Sequence, residues 1–155
     1  MNKFYKPLFF IITPVLIFLD FYSKYYFENS ENFKSKVNII WDFFYLKLVY
    51  NPWIAFWIEI PTILLKFITV VFIMYLTYLY FTEKKSSKLE ELSYILIISG
   101  AIWNAYWRIW HSEVVDFIWV KYFAVFNLAD IYIFLWVCIY IIYYLLWAKF
   151  IDQKK

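Results

Sequence analysis

The chain has 155 residues, 65% of them hydrophobic and 28% aromatic, with a formal net charge of +3. A soluble domain of this size is roughly half apolar, so the excess excludes an ordinary water-soluble core and implies a lipid-facing surface, as does the mean hydropathy of +0.62. No basic cluster interleaved with polar residues supports a nucleic-acid surface. One cysteine makes no internal disulfide, and one histidine without a Cys/His cluster makes no zinc site.

At about 20 apolar residues per crossing, four spans fit and six do not. Lys3 and Lys6 precede an apolar run from Leu8 to Leu19. No small-residue cleavage site follows, and Asp20 comes next, so the run reads as an uncleaved first span over about residues 5–26. Pro14 within it is tolerated where neighbouring helices satisfy the freed carbonyl. Asp20 and Lys24, four apart, share one helix face near the outer end. An extracytoplasmic segment is expected over about residues 29–58. Asn29 to Lys36 is a polar loop, and Val37 to Val49 mixes β-branched and aromatic residues with Asp42 and Lys47, as short strands or a surface-lying stretch do.

Asn51-Pro52 marks a turn. Pro61 suits a first helical turn, giving span two over about 62–81, with Lys66 near its start and able to snorkel. Thr82 to Glu91, with Glu83, Lys84, Lys85, Lys88, Glu90 and Glu91, reads as a hydrophilic connector. Span three follows over about 92–108, and His111 to Phe126 as a partly apolar outer loop. Span four covers about 128–148 before a tail with Lys149, Lys154 and Lys155. Cys138 reads as a buried, inert thiol and His111 as a loop residue. The expected whole is a single membrane domain, an all-α polytopic bundle of four transmembrane helices. The lysines of the N-terminus, the connector and the tail then share one side, which the positive-inside rule makes cytoplasmic, with both termini there.

Ionisable residues at membrane depth are costly and mark function. Asp20, Arg108, Asp116 and Asp130 all fall at the outer ends of the expected spans, and Asn51, Asn104 and Asn127 lie in the same layer. Two carboxylates in a low-dielectric site cannot both ionise cheaply and titrate as a unit. Such a pair activates a water with one member and protonates a leaving amine with the other. Spacing alone leaves plainer roles open: Asp130 as a helix-start residue favoured by the dipole, Asp116 as a solvated loop residue, Arg108 as a helix-end anchor, and Asp20 with Lys24 as a plain i,i+4 pair.

Asp20-Phe21-Tyr22-Ser23-Lys24 resembles the D-x-x-[ST]-K element of the bacterial lipoprotein signal peptidases (signal peptidase II). Asn51-Pro52-Trp53-Ile54-Ala55-Phe56 is similar to their N-x-G-x-A-F element, and Gly100 to Arg108 to their G-A-x-G-N-x-x-D-R element. Val114-Val115-Asp116-Phe117 and Phe126-Asn127-Leu128-Ala129-Asp130 match V-V-D-F and F-N-x-A-D without change. The resemblance runs in order from about residue 20 to 130. It implies an intramembrane aspartyl endopeptidase that removes the signal peptide of diacylglyceryl-modified prolipoproteins, cutting before the lipidated cysteine. Asp116 and Asp130 would be catalytic. Asp20, Lys24, Asn51, Asn104, Arg108 and Asn127 would bind substrate or shape the site. It further implies a small extracytoplasmic β-cradle around Val37 to Val49 and no metal or cofactor. The partners would be the lipidated substrate and membrane lipid rather than nucleic acid, and the chain a monomer in a bacterial inner membrane.

The departures are specific. Trp53, Trp103 and Trp136 stand where that pattern has Gly, and Trp107 where it has Asp; the chain holds nine Trp and one Gly. Either the site is remodelled around large side chains, or UGA codons meaning Gly have been written as Trp. A catalytically degenerate homologue, or a non-enzymatic scaffold or transport subunit, is the competing expectation.

Overall fold

A computed structural model describes residues 6–52, 61–83 and 87–152. Its long helices are α1 (Lys6–Asn29), α2 (Thr62–Thr82), α3 (Lys88–His111) and α4 (Leu128–Asp152). Strands β1 (Val37–Ile40), β2 (Phe44–Asn51), β3 (Val114–Val120) and β4 (Ala124–Phe126) form one antiparallel sheet in that order.

Among the described residues, three helical stretches are long and apolar enough to cross a membrane: Pro7–Asn29, Ile63–Thr82 and Leu128–Leu145. They present Phe10 and Phe18 on α1, Ile63 and Phe67 on α2, and Phe134 and Ile141 on α4 as exposed apolar surface, as a lipid-facing exterior requires. α3 differs because it packs against α1, α2 and α4. It meets protein on several sides, so it carries polar residues, Glu91, Ser93, Ser99 and Asn104, buried among Ile95, Leu96 and Ile98. Leu76 and Tyr80 of α2 complete the central cluster with Ile95, Ile97 and Ile98.

α3 and α4 approach closely at Gly100. A Cβ there would lie 2.6 Å from the Ala129 carbonyl oxygen and 3.0 Å from Ile133 Cγ1. Backbone cannot swing aside as a side chain can, so Gly100→Ala is expected to cost about 1–3 kcal/mol, read as a lowered unfolding temperature in detergent.

The helix boundaries extend past the expected spans. α1 runs on to Asn29, whose side-chain amide donates to the Tyr25 carbonyl at 2.8 Å. α3 starts inside the expected connector because Ser87 caps it, its hydroxyl accepting the Glu90 N–H at 3.1 Å. Glu90 and Glu91 then sit in the first turn, where the helix dipole favours acids. Lys66 binds the other end of α3, donating to the Ile109 carbonyl at 2.9 Å and to Ser112 Oγ at 3.3 Å.

The expected outer loop over His111 to Phe126 is corrected. His111 is the last residue of α3, and the stretch beyond it supplies β3 and β4. Val114 to Val120 is β-branched and aromatic apart from Asp116, a strand composition, and β2 offers it a partner edge with Val49 opposite Asp116 and Asn51 opposite Val114. The sheet is therefore built from two distant segments, not from residues 37–49 alone. Phe27 of α1 stacks on Phe117 at 3.9 Å between ring centroids and holds the sheet on the bundle. Cys138 is half-buried rather than buried.

Candidate active site

Four elements converge at one end of the bundle with the end of β2. α1 supplies Asp20 and Lys24, β2 ends on Asn51, β3 carries Asp116, α3 brings Asn104 and Arg108, and the start of α4 brings Asn127 and Asp130. The sheet register sets the first pairing. Asn51 lies opposite Val114, and side chains two apart on a strand share a face, so Asn51 and Asp116 are diagonal neighbours on one face. The Asn51 amide donates to Asp116 Oδ2 at 2.6 Å.

Asn127 joins the two acids. Its side-chain amide donates to Asp116 Oδ1 at 2.7 Å, and its backbone N–H donates to Asp130 Oδ2 at 3.1 Å. In return its side-chain oxygen accepts the Asp130 N–H at 3.0 Å. The last two bonds are a reciprocal capping arrangement at the start of α4. The plain helix-start role of Asp130 is thus present, and the Asn127 that makes it also bonds Asp116. Asn104 donates to the remaining oxygen, Asp130 Oδ1, at 2.8 Å. Each of the four carboxylate oxygens holds a donor.

Behind this pair lies a second buried layer. Lys24 Nζ donates to Asp20 Oδ2 at 2.6 Å and to Asn104 Oδ1 at 2.8 Å, while Asp20 Oδ1 accepts the Ala129 N–H at 2.8 Å. Both residues have 0% exposure, so the pair is internal and links α1, α3 and α4. The i,i+4 pair of Asp20 and Lys24 is present, and it is buried. Lys24 orients Asn104, and Asn104 orients Asp130. Arg108 is half-buried, and its positive charge acts on both Asp130 and Asp116.

Asp116 is 2% exposed, which corrects its reading as a solvated loop residue. Burial first, and the Asp130 charge second, raise its pKa to about 7 against the hydrogen bonds from Asn51 and Asn127. Its proton is therefore retained into the neutral range.

All eight residues singled out from the sequence meet in this one network or lie within its electrostatic reach. Two features escaped the sequence. One is the Ala129 N–H that Asp20 holds. The other is Glu91, placed in the connector but 1% exposed and accepting from Tyr80 OH at 2.9 Å; an acid directly before an apolar helical run was its signal. Trp53, Ala55 and Phe56 lie outside the described residues, as do Lys3, Lys84, Lys85, Lys154 and Lys155. Trp103 stacks on Tyr106 at 4.6 Å and meets Phe21 edge-on at 5.6 Å. Trp107 packs on His111 at 4.6 Å. Trp136 flanks the central cluster. Among the described residues no group of three or more His, Cys, Asp or Glu has the arrangement of a metal site.

Known proteins are similar to this chain in sequence and in fold. The sequence pattern of signal peptidase (SPase) II matches residues 12–146. A lipoprotein signal peptidase of Clostridium tetani is 33% identical over 150 residues, covering 93% of this chain and 96% of that protein. One from Listeria welshimeri is 30% identical over 152 residues, covering 95% and 96%. A solved bacterial membrane enzyme superposes with a TM-score of 0.82 at 23% identity, covering 96% of this chain and 92% of that one, and shares the fold. With the pattern matched through nearly all of the bundle and the sheet, the chain belongs to the signal peptidase II family.

Proposed function

We propose that this chain is an intramembrane aspartyl endopeptidase that removes signal peptides from diacylglyceryl-modified prolipoproteins, cutting before the lipidated cysteine. The observation that carries the reading is the pair of carboxylates, Asp116 and Asp130, tied through Asn127 with a donor on every oxygen. One carboxylate takes a proton from a water, which attacks the scissile carbonyl. The other, protonated, gives its proton to the leaving amine, and the pair ends with one proton again. Asp20, Lys24 and Asn104 act as positioning residues, Asn51 and Asn127 hold the pair, and the Arg108 charge favours ionisation of one member. The names of the Clostridium and Listeria relatives support a lipoprotein substrate.

The reading includes a single domain of four spans, α3 being the fourth, with both termini cytoplasmic. The sheet is extracytoplasmic, and the chain acts as a monomer in a bacterial inner membrane. The burial of polar residues on α3 among three apolar helices supports that topology. A site at one end of the bundle suits a substrate whose acyl chains stay in the bilayer.

The test is cleavage of a synthetic precursor peptide carrying diacylglyceryl-cysteine, against the same peptide with free cysteine. Cleavage before the modified residue alone is expected; equal cleavage of both, or of neither, overturns the reading. A pH dependence follows from Asp116. As pH rises through about 7 the Asp116 proton leaves, the pair loses the acid that serves the amine, and initial rates should fall on the alkaline side. A rate that climbs steadily to about pH 9 would contradict a shared proton.

A further inference from the structure

We infer that positions 41, 103 and 107, written as Trp, are Gly in the protein its own cells make, through UGA codons read as Gly. The inference extends beyond the motif positions to Trp41, which lies in none of them, and it does not depend on the catalytic reading.

The composition is the first indication. One Gly among 155 residues compares with average usage of about 7%, in a chain with tight hairpins and close helix contacts. The second is the β1–β2 turn. The Phe43 N–H donates to the Ile40 carbonyl at 3.1 Å, which makes Trp41 the first central residue of the turn between the paired residues Ile40 and Phe44. Its φ is 45° and it is 88% exposed. Gly bears a positive φ most cheaply, because it has no Cβ to clash there. A large β-carbon-bearing residue there is an outlier, and an indole so exposed gains little packing in return. Ser112 and Tyr122 also have positive φ, so the turn adds weight only beside the composition and the α3 face.

The third indication comes from α3. The Nε1 atoms of both Trp103 and Trp107 are buried with no hydrogen-bond partner. A buried indole N–H ordinarily finds an acceptor; even the half-buried Trp119 donates its indole N–H to the Lys47 carbonyl at 2.8 Å. Residues 103 and 107 follow Gly100 by three and seven, so the three share a helix face. Gly100 already presses that face to within contact of the Ala129 backbone. With Gly at 103 and 107 the face becomes a continuous small-residue seam, the surface by which membrane helices approach closely, and both orphaned donors vanish.

The test is the coding DNA together with peptide mass spectrometry of the protein from membranes of its source cells. UGA is expected at codons 41, 103 and 107, with each position lighter by the Trp-to-Gly residue difference. In a host that stops at UGA, the unaltered gene should give no full-length product. UGG at any of the three codons, Trp in any of the three peptides, or full-length product in that host would overturn the inference. None of these readouts depends on proteolysis, so an inactive enzyme would leave this result standing, and a Trp-containing one would leave the protease reading to its own test.

Discussion

Asp116→Asn and Asp130→Asn are each expected to lower cleavage by about 10³-fold or more, within the range that acid–base groups contribute. In the proposed mechanism the two acids work as one unit, since the water loses its proton to one and the amine gains a proton from the other. Removing both should therefore cost little more than removing either. The amide at position 116 also meets the local hydrogen bonding badly. Asp116 accepts from two amides, Asn51 and Asn127, whereas a carboxamide there has one acceptor oxygen, so its own NH₂ faces a donor. The check is a cleavage rate for each single variant and for the double, in the same lipid, with folding followed by detergent unfolding. A loss under about tenfold in either single variant, with the fold intact, removes that acid from the chemistry.

Lys24→Met is expected to lower stability by about 3–5 kcal/mol, the usual cost of breaking a buried ion pair from one side. It leaves the Asp20 carboxylate inside the bundle with only the Ala129 N–H, and deprives Asn104 of a charged donor. Because Asn104 holds Asp130, activity should drop as well. The double variant Asp20→Asn with Lys24→Met should recover part of the stability. The neutral carboxamide that replaces the Asp20 carboxylate still offers an oxygen to the Ala129 N–H and leaves no uncompensated charge. Thermal unfolding of wild type, the single variant and the double variant in detergent separates the cases. Unfolding of Lys24→Met at the wild-type temperature would show that this pair is not structural.

Hydropathy alone located the helices well where no other local signal competes with it. α2 differs from its expected span by one residue at its end, because its whole length faces an apolar neighbour or lipid. Hydropathy failed where a local signal competed with it. The Ser87 cap starts α3 within a charged stretch, and the β-branched run around Asp116 became a strand only because β2 lay alongside. Glu91 was hidden for the first of these reasons. The motif residues were legible as a polar layer, and Asp20 and Lys24 as an i,i+4 pair, but not that the pair is buried, since spacing along a helix says nothing about which way its face turns.

The apolar excess, the spacing of the apolar runs and the order of the polar elements were determined by sequence, because membrane solvation acts on each segment separately. Tertiary structure decided which polar groups touch. Asn127 reaches both acids only when α4 begins beside β3, and Lys24 is sealed from solvent only when α1, α3 and α4 close over it. Such contacts depend on distances between segments up to 109 residues apart, which no local pattern encodes.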